Sequence, residues 1–559
     1  MAGPALSVRL RRWWRLFRTE QPRSIQVLVA ILAALLVADV AGLATTGSSS
    51  APATRVAGAG GTGGSPAPGA GGGPDATTVT GSAGTENGLP GGAGGPNGSS
   101  GSASAGSGVP GSTGGSSGPG PLIALGHGVT SSSIKVVFPW PNLGPLGQAV
   151  GLYGSSEDDK LSIMAAVDAI NAAGGINGRM IDPEMVGFNP LDQASMRADC
   201  IQWTQDQHVF AVVDADAWHD DSQLCITQEN HTPLISSWTT VTDWTSRGNP
   251  NLWWTGPDVS EVLSNLVAWA VSGSQLTPTT KFGVVAADRS ADTLSVGYLN
   301  RDLGAAGLKP TATGSMHFDL TSSAQSIAQA QDIVAQFRSQ GVTTVLPLLP
   351  YNDFVYFLEA AQQQAWVPHW LLSDYEFEDQ AALGLIDPSS GGPFARELNN
   401  VVNPTFFDLG NCDCDKPLPQ GYGAFGQQCN ANFNKYSGAA WRKIQQQQGN
   451  TWSGYIETTG TAMTWCTNIG LFAAAARAVS ANQLTQPAFD QAMEGLTHFA
   501  GQLAPDYQYG GTRRAGPHEF RVVQEHVNSD GKCPQKVTGG SQGDCWLIEQ
   551  DFRPELGVH

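Results

Sequence analysis

Basic residues are scarce in most of this chain, where 29 Lys and Arg stand against 48 Asp and Glu for a formal charge of −19. The shortage is uneven. Residues 1–24 hold six Arg against Glu20, whereas residues 121–559 carry −22. A body of that sign lacks the clustered cations that neutralise phosphates, which argues against a nucleic-acid partner. Cysteine is missing before Cys200, although eight follow from there on. Large apolar side chains are nearly missing from residues 47–120, which are mostly Gly, Ser, Ala, Thr and Pro. Catalytic signatures are lacking too. The body has no Gly-x-Ser-x-Gly placed as an elbow between strand and helix, no His-Glu-x-x-His, and no phosphate loop ending in Gly-Lys-Ser/Thr. Its histidines are scattered. The expectation is a protein that is not an enzyme and holds no cofactor or metal.

What is present begins with Arg9, Arg11, Arg12, Arg15, Arg18 and Arg23, followed by an apolar run from Ile25 to Ala44. Twenty residues of helix span roughly 30 Å, about the hydrocarbon core of a bilayer. The basic flank predicts residues 1–24 in the cytoplasm, a membrane anchor at 25–46 and export of the rest. The alternative is a signal peptide cleaved after Gly42-Leu43-Ala44, giving a secreted protein. No cysteine follows the run to accept a lipid. Residues 47–120 cannot bury enough apolar surface to offset their ordering entropy and read as a disordered linker. As a flexible coil that linker would span roughly 45–50 Å.

The stretch Asp168–Arg179 organises the folded body. Glu157, Asp158 and Asp159 place acidic charge at the positive end of a helix, and Ile163, Val167 and Ile170 give it one apolar face. Gly174-Gly175 supplies the left-handed stop, Asn177-Gly178 a tight turn, and Ile181–Phe188 the returning strand. This helix, double-glycine stop and Ile-Asn-Gly-Arg turn resembles the opening unit of type I periplasmic binding proteins, in particular the leucine and branched-chain amino acid binding family served by ABC importers.

Short β-rich runs alternate with helical patterns on either side of Asp258, which signals parallel sheets covered on both faces. The fold class expected is α/β, two-lobed, each lobe a doubly wound and mainly parallel sheet. Lobe 1 is placed at 121–256 and lobe 2 at 257–376. The resemblance implies a return to lobe 1 within 377–503, which also holds an insertion, and a return to lobe 2 with a C-terminal tail at 504–559.

An exported body suits disulfides. Cys200 and Cys225 fall on consecutive helices flanking one strand, and Cys533 and Cys545 bracket a Gly-rich loop, so each pair is a candidate bridge. Cys412, Cys414, Cys429 and Cys466 leave three pairings open. Chelation by Cys412 and Cys414 is the alternative, though their spacing is not that of a zinc knuckle and no paired histidines accompany them.

In open parallel sheets ligands bind beyond the carboxyl ends of the strands. That places Trp140, Asn142, Trp218, Ser237, Trp238 and Thr239 at a lobe 1 rim. Asp288, Arg289, Tyr351, Asp374 and Tyr375 fall at a lobe 2 rim. By resemblance, Trp218, Ser237–Thr239, Tyr351 and Tyr375 fall near ligand-contacting places. Amino acid binders of the family show a Gly-Ala/Ser-Thr turn where this chain has Ser236-Ser-Trp-Thr-Thr240, and the acid that meets an ammonium corresponds to Asp374 or Glu376, or to neither. The tryptophans suit a flat or amphipathic solute. The expected partners are a small-molecule solute, an ABC permease and a membrane reached through the N-terminal helix. A tethered receptor or surface protein using the same fold is the alternative.

Overall fold

The computed structural model describes residues 121–142, 156–190, 192–215, 218, 221–237, 241–318, 323–375, 394–407, 423–447, 454, 456, 461–501, 504–511, 513–526 and 545–556. The anchor and linker expected before residue 121 lie outside that set. Among the described residues no helix is long and apolar enough to cross a membrane.

The first half opens with β1 (Ser133–Pro141), whose last six residues are all buried. Helix α1 (Ser156–Ala172) follows with its three acids in the first turn, and β2 (Met180–Phe188) returns. Then come α2 (Gln193–Ile201), capped by the Asp192 carboxylate, β3 (Ala211–Val213), α3 (Asp221–Leu224) and β4 (Leu234–Ser236). Two elements absent from the sequence reading close this half: α4 (Thr242–Gly248) and β5 (Leu252–Trp254). The five strands form one parallel sheet in the order β2-β1-β3-β4-β5.

Helix α5 (Val259–Ser272), capped by Asp258, starts the second half. It continues through β6 (Phe282–Ala287), α6 (Ser290–Ala305), β7 (Ala312–Met316) and α7 (Ser323–Ser339). Strand β8 (Thr344–Leu348), α8 (Tyr351–Gln363) and the short β9 (His369–Trp370) complete it. These strands are parallel in the order β7-β6-β8-β9. Both halves therefore repeat one plan, in which the second strand lies outside the first and the third lies inside it.

The rest of the chain adds to both halves. After α9 (Ala395–Leu398), strand β10 (Val402–Thr405) pairs antiparallel with β11 (Glu519–His526), and β11 with β12 (Cys545–Pro554). Helices α10 (Ala424–Tyr436) and α11 (Gly438–Gln447) follow β10, and the Cys429–Cys466 disulfide ties α10 to α12 (Thr461–Ala478). That bridge is one of the three pairings left open by the sequence. The expected Cys200–Cys225 bridge is formed, joining α2 to the turn after α3. Cys412, Cys414 and Cys533 lie outside the described residues, as does the side chain of Cys545.

Helix α12 and α13 (Gln486–Glu494) pack on the first sheet beside α1, sharing a core of Ile163, Val167, Phe210, Phe472 and Phe489. The Ile-Asn-Gly-Arg turn fixes this long-range contact. Gly175 and Gly178 are left-handed, at φ +73° and +89°, which a side chain would resist. Asn177 then donates to the Val479 carbonyl at 2.8 Å, and the buried Arg179 donates to the carbonyls of Thr130, Ala481 and Ile123 at 2.6–2.7 Å. The guanidinium thereby satisfies three carbonyls, two from the stretch before β1 and one from the turn after α12.

Candidate functional site

The order β2-β1-β3 reverses direction at β1, and β7-β6-β8 does so at β6. A crevice forms outside the carboxyl ends of the strands at such a switch point. The link 255–258 leaves the carboxyl end of β5 and leads into α5, the helix before β6; in an alternating α/β unit such a helix runs back against the strands, which sets its amino end at the carboxyl edge. The crossover therefore joins carboxyl edge to carboxyl edge.

On the first half, Trp140 ends β1 and is 6% exposed. Its ring lies against Gly187, where a Cβ would come within 2.7 Å of ring atoms, and Lys160 Nζ stands 4.9 Å from the ring centroid. Asn142 is exposed and its backbone N–H donates to the Phe188 carbonyl at 2.7 Å. Trp218 is fully buried, with ring centroids 4.9 Å from Phe188 and 4.8 Å from Trp203. The indole N–H groups of Trp140, Trp203, Trp218 and Trp254 are buried without an acceptor among the described residues. Ser237 is buried and its hydroxyl donates to the Ala215 carbonyl at 2.5 Å. Trp238 and Thr239 lie outside the described residues.

A hydrogen-bonded chain joins these strand ends. The Ser236 hydroxyl donates to Asp214 Oδ2 at 2.9 Å, Asn468 Nδ2 donates to the Asp214 carbonyl at 2.6 Å, and the Thr255 hydroxyl donates to Asn468 Oδ1 at 2.6 Å. All four residues are buried. Asp159, in the first turn of α1, accepts the Trp465 indole N–H at 2.8 Å, and burial pushes its carboxyl up to about 7.

The second half presents charge. Arg289, after β6, makes a bidentate pair with the fully buried Asp292 at 2.7 Å, and its guanidinium lies 4.9 Å from the Phe318 ring centroid. Tyr375 is buried and its hydroxyl donates to Asp292. Asp288 accepts from the Phe318 N–H at 3.1 Å and pairs with His317 Nδ1 at 2.7 Å. Tyr351 opens α8 and is 41% exposed. Two residues on, Asp353 is buried and its Oδ2 has no hydrogen-bond partner among the described residues. Burial pushes that carboxyl up to about 7, opposed by Arg289 and reinforced by Asp292 and Asp288. Asp374 is fully buried and accepts the Thr405 hydroxyl and the Phe406 N–H, each at 2.6 Å.

The structure thus gathers Trp140, Trp218 and Ser237 at one carboxyl edge, and Arg289, Tyr351, Asp374 and Tyr375 at the other. The sequence reading missed Asp214, Asn468, Asp292 and Asp353. Asp292 was signalled by its place three residues after Arg289, and Asp353 by its place in the first turn after Tyr351. Asn468 had no such signal, because its partners lie more than two hundred residues away. Among the described residues no three His, Cys, Asp or Glu side chains are placed to hold a metal ion.

No curated protein matches the chain. The sequence model of a family described as periplasmic binding protein matches residues 142–399. Solved structures share the fold at low identity. A fatty acid ABC transporter substrate-binding protein from Thermomonospora curvata superimposes with TM-score 0.54 at 14% identity, covering 78% of this chain and 96% of its own. A possible leucine/isoleucine/valine-binding protein from Rhodopirellula baltica gives 0.52 at 12% identity, covering 75% and 96%. An ABC transporter solute-binding protein from Rhodopseudomonas palustris, solved with 3,4-dihydroxybenzoic acid, gives 0.51 at 11% identity, covering 76% and 98%. The repeated strand order, the edge-to-edge crossover and the matched segment agree: the described part of this chain has the fold of periplasmic binding proteins, and residues 142–399 match that family's sequence model.

Proposed function

We propose that this protein is an extracytoplasmic solute-binding protein that closes its two halves on a small amphipathic or aromatic solute and delivers it to an ABC permease. The observation that supports this most directly is the repeated plan, in which two switch-point crevices are joined carboxyl edge to carboxyl edge by residues 255–258. The contacts assigned to the solute are Trp140, Asn142, Ser237, Trp238 and Thr239 from the first half and Arg289, Tyr351 and Asp353 from the second. Trp218, Asp374 and Tyr375 stand behind them. Indole faces and N–H donors supply apolar burial and hydrogen bonds to an acceptor on the solute. The solved relatives are described with a fatty acid transporter and with a dihydroxybenzoate, which fits a carboxylic acid ligand. The run 25–46 is assigned as an uncleaved anchor and 47–120 as its tether.

The test is a thermal-shift panel of amino acids, amides, aromatic acids, fatty acids and short peptides on the purified protein. A bound solute at a hundred times its Kd stabilises by about 2.7 kcal/mol, and Trp140→Ala abolishes that gain. Silence across the whole panel would remove the transport reading and leave a surface or protein-binding role.

A further inference from the structure

Asp374 stands where a solute-facing acid was expected, yet its carboxylate is engaged by the main chain and side chain of another segment. It accepts from Thr405 and Phe406, at the end of the strand that carries the chain back from the second half. The neighbouring Tyr375 hydroxyl goes to Asp292, the partner of Arg289. One rim is thus continuous with the second crossover. The other rim repeats the arrangement with different chemistry. Thr255 is the first residue of the first crossover, and its hydroxyl donates to Asn468 Oδ1. Its N–H donates to the Ser236 carbonyl at 2.9 Å, while the Ser236 hydroxyl and the Asn468 amide both hold Asp214. All of these side chains are buried, so each bond is shielded from water.

We infer that Asn468 and Asp374 are positioning residues, each fastening one crossover to the rim of one half, so that a change at either rim reaches its own crossover directly. The two fastenings are separate. Asn468 comes from α12 and holds 255, whereas Asp374 comes from the end of the second sheet and holds 405–406. A solute touching Ser237 or its neighbours acts on the first crossover, and one touching Arg289 acts on the second. Calling these rims solute-facing rests on the proposed function. The fastening itself does not, and the experiment needs no solute.

Amide hydrogen exchange of the full-length protein is compared for Thr255→Val, Thr255→Ser, Thr405→Val and Thr405→Ser. The amides read are Thr255, bonded to Ser236, and Phe406, bonded to Asp374, neither of which loses its own acceptor in the substitution. Thr255→Val should speed exchange at Thr255 roughly five- to tenfold, the loss expected for one buried hydrogen bond, and leave Phe406 unchanged. Thr405→Val should do the reverse. Both Ser variants restore the hydroxyl and should match the wild type. Small-angle scattering should show a broader distribution of distances between the halves in each Val variant only. The inference is overturned if both Val variants speed exchange everywhere, if neither does so at its own crossover, or if Val and Ser behave alike. Absence of any solute response in the thermal-shift panel would leave these outcomes unaffected.

Discussion

The two halves share a strand order but hold their strand ends by different means. At the first edge the groups are uncharged or singly charged and reach across the chain: Asn468 to Thr255 and Asp214, and Trp465 to Asp159. At the second edge they are ionic and mostly near in sequence, as in Arg289 with Asp292 three residues on. The same topology therefore tolerates two kinds of rim, because the parallel sheet fixes where the strand ends lie while the first helical turns decide what stands there. The first half owes its integrity to segments supplied from the far end of the chain. The second half is more nearly self-contained.

The largest expected effect comes from cutting the first half's long-range ties. Arg179→Met removes a buried guanidinium and its hydrogen bonds to three carbonyls, and should destabilise the protein by about 3–5 kcal/mol. Urea unfolding reads this directly, and a loss below about 1 kcal/mol would show that the carbonyls find other partners. Arg289→Met tests the second half. It strands a buried carboxylate and should cost about 3 kcal/mol, with exchange protection falling across β6 to β9 and holding in β1 to β5. Equal loss of protection in both sheets would remove the contrast between a self-contained and a dependent half.

That contrast also explains what was legible in the sequence. The second half's strands and helices were readable because apolar runs and helix starts recur locally, as with Asp258 before α5 and the run 323–339 of α7. Strand β5 escaped notice because three residues flanked by Asn-Pro and Thr-Gly are too short for a pattern, and only pairing with β4 defines them. Strand β10 escaped because its partner β11 lies more than a hundred residues away, so the span 377–503 read as an insertion and a return to the first lobe. The rims followed the same rule. Trp140, Tyr351 and Arg289 are visible as the first residues past a strand, but Asn468 carries no local mark of its role, and Asp374 at a strand end read as solute-facing while it binds the crossover.

A smaller effect separates two buried acids whose carboxyls burial pushes up to about 7, one in each half. Asp490 accepts from Asn251 and Trp253 at 2.7 and 2.8 Å, whereas Asp353 Oδ2 has no hydrogen-bond partner among the described residues. In both cases the folded state keeps a proton between about pH 4 and 7 that the unfolded chain has released. Each therefore contributes stability that is full below pH 4 and lost as pH rises through 7. Replacing either by Asn should flatten that decline. Asp490→Asn also sets an amide donor against existing donors and should cost about 1–2 kcal/mol at every pH. Asp353→Asn removes a buried charge that stands beside Asp292 and Asp288 and should raise stability at pH 8 by about 1 kcal/mol. Denaturation midpoints at pH 5 and 8 measure both, and identical pH slopes in wild type and variants would show that neither carboxyl titrates there.

The smallest effect asks whether the first rim faces a solute at all. Gly187 lies under the far edge of the Trp140 ring, so Gly187→Ala must tilt the indole and also presses on the Asn142 side chain, whose Cβ would stand 3.2 Å away. Overpacking of one methyl against a movable ring costs about 1 kcal/mol, the low end for such changes. Tilting the ring alters any stacked solute far more than it alters the fold. Thermal-shift responses to the solutes found in the panel should therefore shrink in Gly187→Ala while the melting temperature without solute changes by a few degrees or less. If the responses stay intact, Trp140 packs under its loop and solute selection belongs to the charged edge around Arg289 and Asp353, leaving the uncharged edge as scaffold.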